Sequence, residues 1–204
     1  MITKMMNLLR IAYVRCSMML FLRPLGVRFG KRSTIYRPIR IDGGKSIQIG
    51  AKSLIQRGTW LYASPRSKGE IALKIGSNCV VGYNNHFVAI ESVLIGDGVL
   101  TANNVYIADN SHHYEDIDRP IVEQGTRFVR EVVIGSGSWL GENVCVIGAS
   151  IGKNSVIGAN SVVTRDVPDF CVAVGAPAVV VKHYDHVRSK WVEGIPTEKS
   201  KSAK

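Results

Sequence analysis

The chain has 204 residues, 46% hydrophobic and 21% charged, an ordinary balance for one soluble domain with a core of its own. Its formal net charge of +10 points to a polyanion, an anionic membrane surface or a phosphorylated ligand as partner. The basic residues read as spread along the chain and no nucleic-acid-binding module is present, so no nucleic-acid partner is expected.

Residues 1–28 form a basic, apolar opening segment. Met5 to Leu25 is apolar enough to consider as a membrane element, but Arg10, Arg15 and Arg23 interrupt it and no small-residue cleavage site follows. Leu8, Leu9, Ala12, Met19 and Leu22 can share one helical face, with Lys4, Arg10 and Arg15 elsewhere. Two readings follow. A short helix caps the end of the next domain, or a basic amphipathic helix lies on a membrane surface.

Residues 29–181 repeat every six positions. An aliphatic residue opens each unit, Gly often follows, and Asn, Gly or Asp stands three places on. The openers group in threes: Phe29, Ile35, Ile41; Ile49, Ile55, Leu61; Ile75, Val81, Phe87; Ile95, Thr101, Ile107; Ile134, Leu140, Val146; Ile151, Ile157, Val163. Three units make one triangular turn, and the turns stack so that each short strand pairs with its equivalent in the next turn. Corners need a residue that tolerates positive φ, which accounts for Asn78, Asn84, Gly98, Asn104, Gly137, Asn143, Asn154 and Asn160. Ser53, Thr59, Val99, Val105, Val144, Ser155 and Ser161 stand two before an opener and fit a narrow interior.

Four interruptions break the period, one of them the unit from Val146 to Ile151, which is one residue short. Short loops follow Leu61 and Phe87, whereas the gap between Ile107 and Ile134 is long. This insert, residues 108–133, carries the run Asp109-Asn-Ser-His-His-Tyr-Glu-Asp, and a loop of that length in a compact solenoid is usually functional. Cys16, Cys79, Cys145 and Cys171 form no CxxC pair, and no His stands at zinc-finger spacing, so they read as reduced thiols of a cytoplasmic protein with no metal. Residues 182–204 leave the pattern, with a short helix expected over Tyr184 to Val192 and a flexible tail over Thr197 to Lys204.

The repeat, together with Ser138-Trp-Leu-Gly, the run from Ile157 to Pro168 and Gly175-Ala-Pro, resembles the hexapeptide-repeat acyltransferases. Within them it resembles the sugar and polysaccharide O-acetyltransferases related to galactoside and maltose acetyltransferase, and its opening Leu-Arg-Pro-Leu-Gly resembles enzymes acting on capsule or O-antigen sugars. The resemblance implies an all-β fold, a left-handed parallel β-helix, with short helical segments at either end. It implies a homotrimer with active sites between subunits, acetyl-CoA as acyl donor and a sugar or glycan acceptor. Transfer to a hydroxyl needs a base, and a neutral imidazole suits pH 7. The family motif selects His112 as that base, with Glu123 as orienting partner and the amide of Glu142 as oxyanion donor. Gly141 admits the thioester, Trp139 walls the site, and Ala159, Thr164 and Arg165 match the coenzyme A groove. Relatives carry a basic residue where this chain has Val179, so a phosphate contact falls to Arg165 or Lys182. Asn85, His86 and His113 are the acceptor-side candidates.

Other readings compete. A γ-type zinc hydratase needs three His ligands, for which His86, His112 and His113 are the candidates, though adjacent histidines rarely share one ion in that geometry. A scaffold without activity needs no His-bearing insert, and a small-sugar or xenobiotic acetyltransferase stays open. The basic opening and net charge fit an acceptor at the inner face of the cytoplasmic membrane.

Overall fold

The computed structural model describes residues 20, 22, 24–64 and 70–196. The expected tail over Thr197 to Lys204, Cys16 and most of the opening segment lie outside them. Each of the first five turns gives one short strand to each of three sheets, and the next reaches the first sheet through a bridge at Ile151, so the parallel backbone ladder runs along a prism axis. The first sheet stacks Arg28–Phe29, Ile47–Ile49, Leu73–Ile75, Val93–Ile95 and Val132–Ile134. The second stacks Thr34–Ile35, Leu54–Ile55, Val80–Val81, Leu100–Thr101, Trp139–Leu140, Val156–Ile157 and Cys171–Gly175. The third stacks Arg40–Asp42, Trp60–Ala63, His86–Ala89, Tyr106–Ala108, Cys145–Ile147 and Val162–Val163. This is a parallel β-helix.

The register is the one the period demands. Opener sits over opener: Ile35 pairs with Ile55, Ile55 with Val81, Val81 with Thr101, Thr101 with Leu140 and Leu140 with Ile157. All openers are buried except Phe29 and Ile41, which are half-buried in the first turn. Each fully buried Ile or Leu stabilises the stack by roughly 1.5–3 kcal/mol before entropy is counted. The small interior residues are buried too, and the serines bridge turns. Ser53 Oγ donates to the Gly76 carbonyl at 2.7 Å and accepts from Cys79 N–H at 3.1 Å; Ser138 does the same to Gly152 and Ser155. A buried hydroxyl with both roles filled costs little, and here it cross-links neighbouring turns.

The named corner residues all carry positive φ, from 50° at Asn154 to 74° at Gly137. Asn side chains add an external ladder, Asn104 Nδ2 donating to Asn143 Oδ1 at 3.1 Å and Asn143 Nδ2 to Asn160 Oδ1 at 2.9 Å. At the N-terminal end, Leu22 is buried against the core.

The C-terminal end corrects an expectation. No helix forms over Tyr184 to Val192; instead Ala178–Asp185 and Lys190–Glu193 make an antiparallel hairpin that extends the second sheet from Cys171–Gly175. The reason is the open edge of the last turn, whose unpaired backbone groups the returning chain satisfies. Within the hairpin Tyr184 meets Trp191 edge-on at 5.7 Å. Cys79, Cys145 and Cys171 are free thiols.

Candidate active site

The insert leaves the solenoid after Tyr106–Ala108, at the corner joining the third sheet to the first, and returns at Val132–Ile134. Asp109 locks its base. The residue is fully buried, and its Oδ1 accepts from Ile90 N–H (2.9 Å) and Asn110 Nδ2 (3.0 Å) while Oδ2 accepts from Glu91 N–H (2.7 Å) and Ser92 N–H (2.8 Å). Its carbonyl accepts from Val129 N–H at 2.8 Å, so one residue ties both ends of the insert to the loop of the preceding turn. A buried carboxylate needs such donors, and charge-assisted bonds are the strong ones. Beyond it Asn110–His112 pairs antiparallel with Thr126–Phe128, and a short helix, Ile121–Gln124, turns the chain back. Gln124 Nε2 holds the tip through the carbonyls of Asp116 (2.8 Å) and Arg119 (2.9 Å).

The adjacent histidines are placed differently. His112 is exposed, and its ring forms no hydrogen bond among the described residues. His113 Nδ1 lies 3.2 Å from Glu115 Oε2, while Arg127 Nη1 lies 3.4 Å from the other oxygen. The backbone amides of Glu115 and Tyr114 hold the Glu115 carboxyl below the usual carboxylate range. His113 is thus engaged inside the insert and His112 is displayed by it. Glu123 stands on the short helix with its carbonyl taken by Arg119 Nη2 at 2.8 Å, and no bond joins it to His112 within the chain.

Trp139, 48% exposed, and Leu140 lead into the corner formed by Gly141, Glu142 and Asn143. A Cβ on Gly141 would come within 2.7 Å of the Ala159 nitrogen, so stacking on the next turn already requires glycine there. Side chains accept from backbone amides down this corner: Asn103 Oδ1 from Tyr83 N–H at 2.8 Å and Glu142 Oε2 from Asn103 N–H at 3.1 Å. The next residue in the column is Ala159, which has no acceptor to offer. Glu142 N–H is therefore left without a partner among the described residues, and a surface amide so placed serves water or a ligand.

Ala159, Thr164 and Arg165 are exposed. Ala159 lies at the same corner as Glu142, whereas Thr164 and Arg165 follow Val162–Val163 at the corner that bears the insert. Lys182 Nζ is paired with Glu193 Oε1 at 3.0 Å, on the hairpin where Val179 is also exposed. In one chain, then, His112 and the Glu142 amide stand at different corners of the prism.

Asn85 is a correction. It is fully buried, with Nδ2 donating to the Ala102 carbonyl at 3.0 Å and Oδ1 accepting from Val105 N–H at 2.9 Å, so it closes a corner and has no free group for an acceptor. His86 points outward from the third sheet, stacked on Trp60 at 4.1 Å and tilted against Tyr106 at 5.2 Å. Its Nε2 is buried without a hydrogen-bond partner among the described residues, and burial pushes its pKa below 6.5, which keeps the ring neutral at pH 7. His86, His112 and His113 do not converge, and no group of three metal-ligating side chains occurs among the described residues. A cavity of about 330 Å³ lies beneath the C-terminal hairpin, lined by Phe170, His183, Tyr184 and His186, away from the insert. Sequence reasoning assigned no role to Asp109; the available signal was an acid directly after a buried strand, at the point where the period breaks.

Comparisons with known proteins agree with this architecture. The family model for the hexapeptide repeat of succinyl-transferase matches residues 72–108 and 131–165, on either side of the insert. An Escherichia coli protein named as a lipopolysaccharide-biosynthesis O-acetyltransferase is 41% identical over 75% of this chain and 79% of its own length. The galactoside O-acetyltransferase of Lactococcus lactis is 35% identical over 68% of each. Another relative, from Mycobacterium tuberculosis and named for acetyltransferase activity, is longer, and the match spans 49% of it. Among solved structures, an N-acyltransferase from Bacillus cereus, in complex with dTDP-4-amino-4,6-dideoxyglucose and coenzyme A, superposes with a TM-score of 0.68. It is 16% identical over 81% of this chain and 88% of that one, a likeness of fold. With repeat register, corner chemistry and these relatives in agreement, the chain belongs to the hexapeptide-repeat acetyltransferases, in their sugar O-acetyltransferase branch, and is an acyltransferase.

Proposed function

We propose that this chain transfers an acetyl group from acetyl-CoA to a sugar hydroxyl of a cell-surface polysaccharide or its precursor. The observation that carries the reading is His112, displayed on an insert whose base Asp109 clamps, with its ring free of hydrogen-bond partners among the described residues. In the proposed reaction a His112 ring nitrogen takes the hydroxyl proton as the sugar oxygen attacks the thioester carbonyl. The Glu142 N–H donates to the oxyanion of the tetrahedral intermediate. Collapse breaks the carbon–sulfur bond, and the imidazolium returns its proton to the departing thiolate. Arg165, exposed and in no ion pair among the described residues, would meet a phosphate of the donor; Lys182 would first have to leave Glu193.

We assign the left-handed sense of the β-helix and a homotrimer on the family resemblance. The separation of His112 and Glu142 to different corners supports the trimer, because a neighbouring subunit would bring the second half of the site to the first. The sugar class is supported by the names of the relatives. A cytoplasmic enzyme working at the inner face of the membrane is supported by the basic opening of the chain, and no described helix is long and apolar enough to cross a membrane.

The test is acetyl-CoA-dependent acetylation of a panel of glycans, read by mass spectrometry, with the parent chain, His112→Ala and His113→Ala. A mass gain of one acetyl group that needs His112 and survives loss of His113 supports the assignment. Equal activity in His112→Ala overturns it.

A further inference from the structure

Placed on the turns of the solenoid, the net charge is not spread at all. Residues 1–69 hold 14 of the 26 Lys and Arg but one of the 16 Asp and Glu, Asp42; residues 70–204 hold 12 cations against 15 acids. Within the described part of that opening stretch, residues 24–64 are the first two turns, and all eight of their cations are exposed. Each corner of the first turn carries one. Lys31 stands between Arg28–Phe29 and Thr34–Ile35, Arg37 between Thr34–Ile35 and Arg40–Asp42, and Lys45 in the 3-10 turn Gly44–Ser46 that leads to the second turn. Lys52 N–H donates to the Lys31 carbonyl at 2.9 Å, which puts a further cation directly above the first corner. The single acid is already held, by Arg40 Nε at 3.0 Å and Trp60 Nε1 at 2.9 Å.

Backbone conformation adds a second, independent observation. Arg32, Arg37 and Lys52 adopt positive φ of 64°, 36° and 58°, at corners where later turns use Asn or Gly except for Phe170 in the last. A long side chain in that region is disfavoured relative to Gly or Asn, so folding alone favours Asn here as at 78, 84, 104, 143, 154 and 160. Cations held at strained corners of one end argue for a selected surface. Beside Arg37, Ile39 is 75% exposed, an apolar side chain at the tip of a cationic rim.

We propose that the N-terminal end of the solenoid is a docking face for an anionic lipid bilayer, with Lys31, Arg37, Lys45 and Lys52 over the headgroups and Ile39 inserted between them. A rim of cations alone would suit any polyanion; the exposed isoleucine among them suits a bilayer interface, where charge and apolar burial act together. The inference deepens the membrane association proposed above and does not depend on the acetyl-transfer chemistry.

The experiment is vesicle flotation of the full chain. Vesicles of phosphatidylcholine are compared with vesicles containing about one-third phosphatidylglycerol, at salt near physiological strength and at about 0.5 M, where screening is strong. Recovery is expected on anionic vesicles alone and is expected to fall at high salt. The triple variant Lys31→Gln, Arg37→Gln, Lys52→Asn should lower partitioning about a hundredfold, at about fivefold per cation. Its thermal melt should match the parent or exceed it, since Asn suits the corner it enters. Ile39→Ser, which changes no charge, should weaken vesicle binding and leave binding to a soluble sulfated polysaccharide unchanged. Equal recovery on both vesicle types, parent-like flotation of the triple variant, or parent-like flotation of Ile39→Ser would each overturn the proposal. The last would assign the rim to a soluble polyanion. Acetylation of a soluble acceptor by the triple variant, run in parallel, should stay at the parent rate, which separates failure of docking from failure of the catalytic reading.

Discussion

Asp109→Asn is the sharpest probe of how the insert is held. The substitution keeps the shape of the side chain and replaces one oxygen by an amino group. In either orientation that amino group faces two donors: Glu91 and Ser92 N–H if it takes the place of Oδ2, or Ile90 N–H and Asn110 Nδ2 if it takes the place of Oδ1. Two charge-assisted bonds are lost and two donors are left unsatisfied at a fully buried position. At about 1.5–3 kcal/mol for a bond to a charged group, and with incomplete additivity, the loss should be about 3–5 kcal/mol. For a chain of this length that corresponds to a fall in Tm of roughly 10 °C. Urea denaturation and calorimetry measure the global effect. Hydrogen exchange at the Ile90, Glu91 and Ser92 amides detects a loss confined to the insert and its loop, as a solenoid of nearest-neighbour contacts allows. Displacement of His112 by even about 1 Å should also cost about a hundredfold in kcat. The reasoning is refuted if Asp109→Asn melts within about 0.5 kcal/mol of the parent and those three amides keep their protection.

Three further outcomes follow from the same geometry. His112→Ala should lower acetyl transfer by about two to four orders of magnitude with little change in Tm, whereas His113→Ala should change the rate by less than about tenfold; steady-state kinetics on a responsive glycan would separate the two. Gly43 and Gly98 both have φ of 67°, but a Cβ on Gly43 would overlap the Ala63 carbonyl, whereas one on Gly98 meets nothing nearer than 4.0 Å. Gly98→Ala should therefore cost about 1 kcal/mol of backbone strain and Gly43→Ala about 3 kcal/mol or more; equal losses in urea titrations would show that overlap with the Ala63 carbonyl does not set the cost at Gly43. Burial lowers the His86 pKa below the unfolded value of 6.5, so the unfolded state binds more protons between the two values. Stability should then fall as pH drops below about 6.5 and level off beneath the folded pKa, and His86→Gln should remove that part of the pH dependence. Parallel Tm–pH curves for parent and variant would count against it.

The period of six made the prism legible before any contact was known, because an interior of fixed width admits an aliphatic at every sixth position and punishes a shift of one. Corner Asn and Gly were legible for a local reason, since positive φ is a property of single residues. His112 was legible as a candidate because the insert that carries it breaks the pattern. Partners between turns were not. Asn85 reads as an acceptor-facing amide until Ala102 and Val105, one turn away, are seen to use both its ends. Asp109 reads as one acid among several in the insert until three amides from residues 90–92 close around it. The contact of His113 with Glu115 shows only once the insert is folded.

The C-terminal segment and the charge show the same division. The run from Lys182 to Glu193 carries no period strong enough to name its structure, and the open edge of Cys171–Gly175 decided it as a hairpin. The excess of cations before residue 70 is present in the sequence, yet it became a surface only when the turns placed Lys31, Arg37 and Lys45 at three corners of one end. What the sequence by itself determined is what each residue settles with its own backbone and its own interior slot: the strand period, the corner conformations and the place of the insert. What tertiary structure alone decided is every contact between residues about twenty positions apart, because those depend on which turn stacks on which, and a hydrogen bond or charge pair exists only where two turns meet.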